Sequence, residues 1–163
     1  DALSVPFVTP SRSITSEWID YNGHLNMAYY LVIFDEAADV FWTELGLGAG
    51  YQQNTGFTTY TASCKIDYLK EVHADALIHT EMLLLDLHPK KFMTWQGLYT
   101  DDGTLCAAAE TLTLHIDQTG DRPRVAAFSE EMFERMEEIS QIHLDVDPPH
   151  IIGRPIEMER PKD

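Results

Sequence analysis

The longest helical pattern in the chain begins after Asn26. Apolar residues recur there at spacings of three and four, which places them on one side of an α-helix. The stripe consists of Tyr30, Phe34, Ala37, Ala38, Phe41 and Leu45. Acidic residues occupy other positions of this segment, and the first of three closely spaced glycines, Gly46, ends the pattern. The sequence therefore predicts one long amphipathic helix between Asn26 and Gly46.

The period changes to that of β-strands after the glycines. Segments rich in threonine, tyrosine and β-branched or other apolar residues cover 57–72, 76–87, 91–99 and 104–116. The tripeptide Asp101-Asp102-Gly103 is a strong signal for a tight hairpin. An imperfect alternation from Ser11 to Ile19 predicts an earlier strand. The pattern predicts an antiparallel five-stranded sheet, four of whose strands are consecutive.

A second, shorter helix is predicted near the C-terminus. Ser129 is a typical N-cap residue, and Met132, Phe133, Met136 and Ile139 form an apolar side up to Ser140. We expect a single α+β domain over residues 1–145 and an irregular tail over 146–163. One helix covers only one face of a sheet, so the exposed face or edge predicts a homo-oligomer, either a dimer or a tetramer.

Charge and composition exclude several classes of function. The 163 residues carry a net charge of −16, which repels nucleic acids and anionic membrane surfaces. No apolar run approaches the roughly 20 residues that cross a bilayer, and the first residues do not resemble a signal peptide, so we expect a cytoplasmic protein. Cys64 and Cys106 are far apart and indicate buried thiols rather than a disulfide or zinc framework. An anionic substrate would need a few well-placed cations.

The segment between the first strand and the long helix carries the candidate chemistry. It contains Asp20, Asn22, Gly23, His24 and Asn26, all of which are also common in turns and helix caps. A helix N-terminus offers unpaired N–H groups that stabilise negative charge, and a carboxylate beside it can act as a base or nucleophile. By residue type alone, a structural role for Asp20 is the stronger interpretation.

This segment, DYNGHLNMAYYLVIF, followed by a four-strand meander, resembles the hotdog thioesterases of the 4-hydroxybenzoyl-CoA thioesterase type over residues 13–128. The resemblance implies a hotdog fold, in which the sheet wraps around the long helix, and hydrolysis of an acyl-CoA without a cofactor. It assigns Asp20 as base or nucleophile, with His24 and Asn26 as supporting residues. At the helix start, the N–H of Met27 or of a neighbouring residue is the candidate donor to the thioester oxygen. Glu71 and Glu81 are alternative carboxylates.

The segments YLKEV, HPKK and LHID make the chain similar to the betainyl-CoA thioesterases of carnitine breakdown. That resemblance implies a quaternary ammonium group held by aromatic faces. The candidate substrate contacts are Tyr21, Asn22, Gly23, Tyr29, Tyr60 and Trp95, with Trp18 as a further aromatic residue, although aromatic residues in such elements also form cores. Lys90, Lys91 and Arg122, with Arg124 as a weaker candidate, are the cations expected to meet the CoA phosphates, and exposed turn positions are an equal alternative.

Other chemistries find little support in the sequence. His24, His73, His79, His88 and His115 show none of the usual metal-ligand spacings, so no metal is predicted. No phosphate-binding glycine loop or nucleophile elbow is present. The rival to an enzyme is a non-catalytic hotdog module that binds acyl-CoA or a small ligand.

Overall fold

The computed structural model describes residues 4–150 and 152–158. Four long strands form an antiparallel sheet: β3 (Phe57–Tyr68), β4 (Leu77–His88), β5 (Lys91–Thr100) and β6 (Leu105–Asp117). Their spatial order is β4, β5, β6, β3. Three two-residue strands extend this sheet, because β1 (Phe7–Val8) and β2 (Arg12–Ser13) pair with β4, and β7 (Arg124–Val125) pairs with β6. The four predicted long strands are confirmed, but only β4, β5 and β6 form a meander, because β3 pairs with β6 instead of with β4.

The long helix α1 (Met27–Leu45) lies across one face of the sheet. Its C-terminal half packs Phe41 and Leu45 against Met82, Leu84 and Phe92. Its N-terminal half packs Tyr30, Ile33 and Phe34 against a second cluster that includes Ile78 and Leu98. Gly46 ends the helix in the left-handed conformation, at φ 87°, where glycine avoids the steric cost of a side chain. Both the helix and its buried stripe are confirmed.

The two faces of β5 have different partners. The Gln96 side-chain N–H donates to the Phe34 carbonyl of α1 at 3.1 Å, so even-numbered residues of this strand face the helix. Trp95 points to the other face, where it packs with Leu83 and Ala108. The chain beyond α3 (Glu130–His143) returns to this second face, since Val146 packs against the same cluster. The tail is held further by His150, whose Nε2 lies 2.7 Å from Asp67 Oδ2.

Helix α3 begins as predicted and is anchored to β4. The Ser129 hydroxyl accepts the Met132 N–H at 3.1 Å, which confirms the N-cap. At the other end of the helix, His143 Nδ1 accepts the Leu84 N–H at 2.8 Å, next to an irregularity of β4 between Leu84 and Asp86. Burial lowers the pKa of His143. This buried hydrogen bond therefore depends on a neutral imidazole.

Three details differ from the expectations. The predicted strand from Ser11 to Ile19 is wrong, because only Arg12–Ser13 pair with β4 and a 3-10 turn follows at Ser16–Trp18. A short helix α2 (Ala49–Thr55) was missed because its sequence, AGYQQNT, has no apolar periodicity. Cys64 is exposed, whereas Cys106 is buried as expected.

Within residues 4–150 and 152–158, no helix is long and apolar enough to cross a bilayer. The cytoplasmic location stays a prediction, as does the boundary between the domain and its tail.

Candidate active site

The segment from Trp18 to Asn26 forms a tight hairpin-like loop. Its backbone is closed by the Asn26 N–H, which donates to the Trp18 carbonyl at 2.8 Å, and by the Asp20 N–H, which donates to the His24 carbonyl at 2.9 Å. Gly23 turns the chain at a φ of 77°, a conformation that favours glycine. The loop thus places Asp20 opposite His24, in the segment that leads into α1.

The Asp20 carboxylate is half-buried and anchored by one oxygen. Its Oδ1 accepts the backbone N–H groups of Asn22 at 2.9 Å and His24 at 3.3 Å. Within the part of the chain that the structure describes, Oδ2 has no hydrogen-bond partner. Asp20 is therefore a turn residue with a second oxygen still available, and the structural and chemical interpretations are compatible.

The N-terminus of α1 supplies a free backbone donor six to eight residues after Asp20. Asn26 is the N-cap, and its Oδ1 accepts the Ala28 N–H at 2.9 Å. Among the described residues, the Met27 N–H donates to no other group. Because the helix dipole and unpaired N–H groups favour negative charge, this amide is suited to bind an oxyanion.

Tyr68 contacts the start of α1 and is a further candidate residue that the sequence analysis did not name. Its hydroxyl donates to the Met27 carbonyl at 3.1 Å, and its ring meets Tyr30 edge-on at 5.0 Å. Burial raises the pKa of Tyr68, so the hydroxyl keeps its proton at neutral pH. The residue lies within the predicted strand 57–72, and its neighbour at the start of α1 is distant in sequence, so local patterns gave no signal.

His24 faces the segment before β4. Leu25 N–H donates to the Val72 carbonyl at 2.8 Å, and His24 and His73 lie opposite each other in an isolated β-bridge. Glu71 belongs to the same group of side chains. The pKa of Glu71 is lowered, first by its own backbone N–H and then by the nearby His24.

A cavity of about 370 Å³ adjoins these residues, and Lys70 lines it together with Glu71 and His73. Lys70 is a basic side chain near the loop and was not among the predicted CoA-binding residues. The alternative carboxylate Glu81 lies in β4, pairs with Gly97 and sits 3.9 Å from His79. It is not part of the loop that holds Asp20.

The predicted aromatic contacts divide into two groups. Tyr29 stacks on Trp18, with the ring centroids 5.7 Å apart. The Arg12 guanidinium lies over the Trp18 ring, 5.2 Å from its centroid, so this ring already has a cation as its partner. Tyr21 is 98% exposed beside Asp20. These residues surround the loop.

Tyr60 and Trp95 form the second group and lie away from the Asp20 loop. Tyr60 lies near the opposite end of β3, where its hydroxyl accepts from the Gln118 side-chain N–H at 2.7 Å. Trp95 is 1% exposed on the sheet face away from α1, so its assignment to the substrate site is corrected to the core.

The predicted CoA cations lie at the far end of the sheet. Lys90 and Lys91 follow β4, and Arg122 precedes β7. Strand β4 has 12 residues, and at about 3.3 Å per residue it separates them from the Asp20 end by roughly 35 Å. The structure does not bring these cations to Asp20 within one chain, so a shared ligand would require a second copy.

Known proteins with similar sequences are thioesterases. The family model described as the thioesterase-like superfamily matches residues 14–136, and the chain belongs to that family. The predicted hotdog fold and thioester hydrolase class are thereby confirmed.

A betainyl-CoA thioesterase from Pseudomonas aeruginosa is 31% identical over 155 residues, which cover 94% of this chain and 96% of that protein. Bifunctional L-carnitine dehydrogenase/betainyl-CoA thioesterases, such as that of Ruegeria pomeroyi, also match, and the chain spans 22% to 31% of their length.

Solved structures share the fold over most of the chain. A Staphylococcus aureus protein solved in complex with CoA has a TM-score of 0.86 at 24% identity and covers 96% of this chain and 98% of its own. A mutant 4-hydroxybenzoyl-CoA thioesterase in complex with 4-hydroxybenzoyl-CoA has a TM-score of 0.71 at 16% identity, over 81% of this chain and 99% of its own. The chain therefore has a fold of the 4-hydroxybenzoyl-CoA thioesterase type, as predicted.

Proposed function

We propose that this chain hydrolyses betainyl-CoA to betaine and CoA at the loop that carries Asp20. The observation that carries the assignment of the site is that, among the described residues, Asp20 Oδ2 and the Met27 N–H both lack a hydrogen-bond partner in the short segment that leads into α1. The substrate follows from the 31% identity to a betainyl-CoA thioesterase across almost the entire chain.

The proposed chemistry places the thioester carbonyl at the start of α1. Negative charge develops on its oxygen as the carbonyl carbon is attacked, and the Met27 N–H stabilises that charge. Asp20 either removes a proton from the attacking water or attacks the carbon itself, in which case water then hydrolyses the resulting anhydride. Both routes use Oδ2, release CoA and require no cofactor. Asn26 fixes the start of the helix, and the His24 N–H positions the carboxylate.

The betainyl group carries a quaternary ammonium close to its carbonyl carbon, so its binding site must lie near the Asp20 loop. The strongly negative protein favours a cationic group. Tyr21 and Tyr68 are exposed rings next to the loop and suit cation–π contact, whereas Arg12 already lies over Trp18. Asn22 and Gly23 form the exposed turn that follows Tyr21. We assign the acyl group to this side of the loop.

A homo-oligomer is part of the proposal. Strand β3 pairs with β6 on one side, and its residues 60–64 are exposed along the other. An exposed long edge strand invites pairing with another strand, and Met27 and Leu31 expose apolar surface on α1. A second copy that covers β3 would also bring another set of Lys90, Lys91 and Arg122. Light scattering on the purified chain tests this part by its mass in solution.

The experiment that tests the function is a comparison of betainyl-CoA, acetyl-CoA and benzoyl-CoA, with release of the CoA thiol followed by a thiol reagent. We expect the highest kcat/KM for betainyl-CoA. A preference for either uncharged acyl group would retain the hydrolase and contradict the betainyl assignment. Silence with all three esters, together with retained CoA binding, would favour the non-catalytic binding module.

A further inference from the structure

Three side chains that are common metal ligands converge beside the Asp20 loop. The ligand atoms of His24, Glu71 and His73 all lie within 4.8 Å of one another. The two imidazole rings meet edge-on, with their centroids 4.8 Å apart. His24 is half-buried, whereas Glu71 and His73 are exposed. The proposed hydrolysis gives Glu71 and His73 no role.

Backbone pairing holds this group together. His24 and His73 are direct partners in an antiparallel bridge, which the hydrogen bond from the Leu25 N–H to the Val72 carbonyl reinforces at 2.8 Å. Residues opposite each other in such a pair project to the same face, with Cβ atoms about 4.5–5.5 Å apart. Residues two apart in an extended segment also share a face, so Glu71 projects beside His73. The group is therefore positioned by two paired backbone segments.

We propose that His24, Glu71 and His73 bind a divalent transition-metal ion, for which Zn²⁺ is the best fit. Two imidazoles and one carboxylate are a ligand set that Zn²⁺ accepts, and three protein ligands leave a further coordination position open. Ca²⁺ and Mg²⁺ fit less well because they prefer oxygen ligands. These residues escaped sequence analysis because the two histidines belong to segments that only the fold brings together.

The distances are compatible with binding after small side-chain rotations. With metal–nitrogen bonds of about 2.0–2.1 Å, the ligand atoms of a tetrahedral site lie about 3.4 Å apart. The observed spread of up to 4.8 Å must therefore contract by about 1.4 Å. Glu71 and His73 are exposed and can rotate without displacing core residues.

Metal binding is separable from the proposed hydrolysis. The backbone N–H of His24 also holds Asp20 Oδ1 at 3.3 Å, so a bound ion would restrain the loop that carries the carboxylate. The hydrolysis uses no metal and is assayed on chelator-treated protein. Failure of one proposal therefore leaves the other unaffected.

Calorimetric titration of the chelator-treated full chain with ZnCl₂ tests the site. Titration with CoCl₂, followed by visible absorption, reports on the coordination directly. We expect one ion per chain and a melting temperature that Zn²⁺ raises. His73→Gln and Glu71→Gln should each weaken binding by at least about tenfold, because each removes one of the ligands.

His88→Gln is the matched control, since it removes an exposed histidine at the far end of β4. It should bind Zn²⁺ like the unmodified chain. The bridge at position 73 uses the backbone and its side chain is exposed, so the variants should fold, which circular dichroism without metal verifies. An unmodified chain that binds no Zn²⁺, or unchanged binding in both ligand variants, would overturn the proposal.

Discussion

Replacement of Asp20 by asparagine separates the two roles of this carboxylate. Asparagine retains an Oδ1 that accepts the N–H groups of Asn22 and His24, now at 2.9 and 3.3 Å. It replaces the free carboxylate oxygen with an amide NH₂, which neither accepts a proton nor attacks a carbonyl. The Asp20→Asn variant should therefore keep the loop and lose the reaction.

The two expected effects differ in size. Loss of a positioned base lowers kcat/KM by about 10²–10⁴, which corresponds to about 3–5 kcal/mol of transition-state stabilisation. Stability should change by about 1 kcal/mol or less, because both hydrogen bonds remain and lose only their assistance from charge. The half-exposed position limits this cost further.

The assay is thiol release from the best substrate, combined with urea unfolding of both proteins. Asp20→Ala is the companion variant, since it removes the hydrogen bonds as well as the reactive oxygen. It should be as inactive as Asp20→Asn and less stable. Activity of Asp20→Asn within tenfold of the unmodified enzyme would show that Asp20 is only a turn residue and would refute the mechanism.

Two further predictions concern stability. Asn26→Ala removes the acceptor of the Ala28 N–H and should lower the free energy of unfolding in urea by about 1 kcal/mol. Asn26→Asp keeps an acceptor and should retain most of that stability. Equal stability of the two variants would contradict the capping role of Asn26. The pKa of His143 is lowered in the folded chain by burial. The contribution of neutral His143 to stability is therefore fully present above the pKa of the unfolded chain, about 6.5, and is lost as the pH falls through the lower pKa of the folded chain. The melting temperature should therefore decrease as the pH is lowered below about 6.5, and it should decrease less steeply in His143→Gln. The same pH dependence of the melting temperature in both proteins would exclude His143 as its cause.

Sequence periodicity was sufficient for the main elements of the fold. The apolar stripe of α1 and the alternation of β5 arise from the repeat of each element and require no knowledge of distant contacts. Caps and turns were equally local: Asn26, Gly46 and Ser129 act within a few residues of themselves. The motif around Asp20 was identified because its residues are also close in sequence. Its resemblance to a known family then supplied the chemistry.

Tertiary structure decided which distant residues share a site. Trp95 and Tyr29 are both aromatic residues in regular elements, yet one is buried on the far face of the sheet and the other lies beside the Asp20 loop. Lys90 appeared suited to CoA by composition, but the length of β4 places it far from Asp20.

Tyr68, Lys70 and the pairing of His24 with His73 depend on where β3 ends and on the bridge that follows it. The sequence alone determined the main elements and the loop around Asp20, because those depend on interactions between near neighbours. The surroundings of the loop depend on strand register and on the position of α1, which are set by the packing of the whole core.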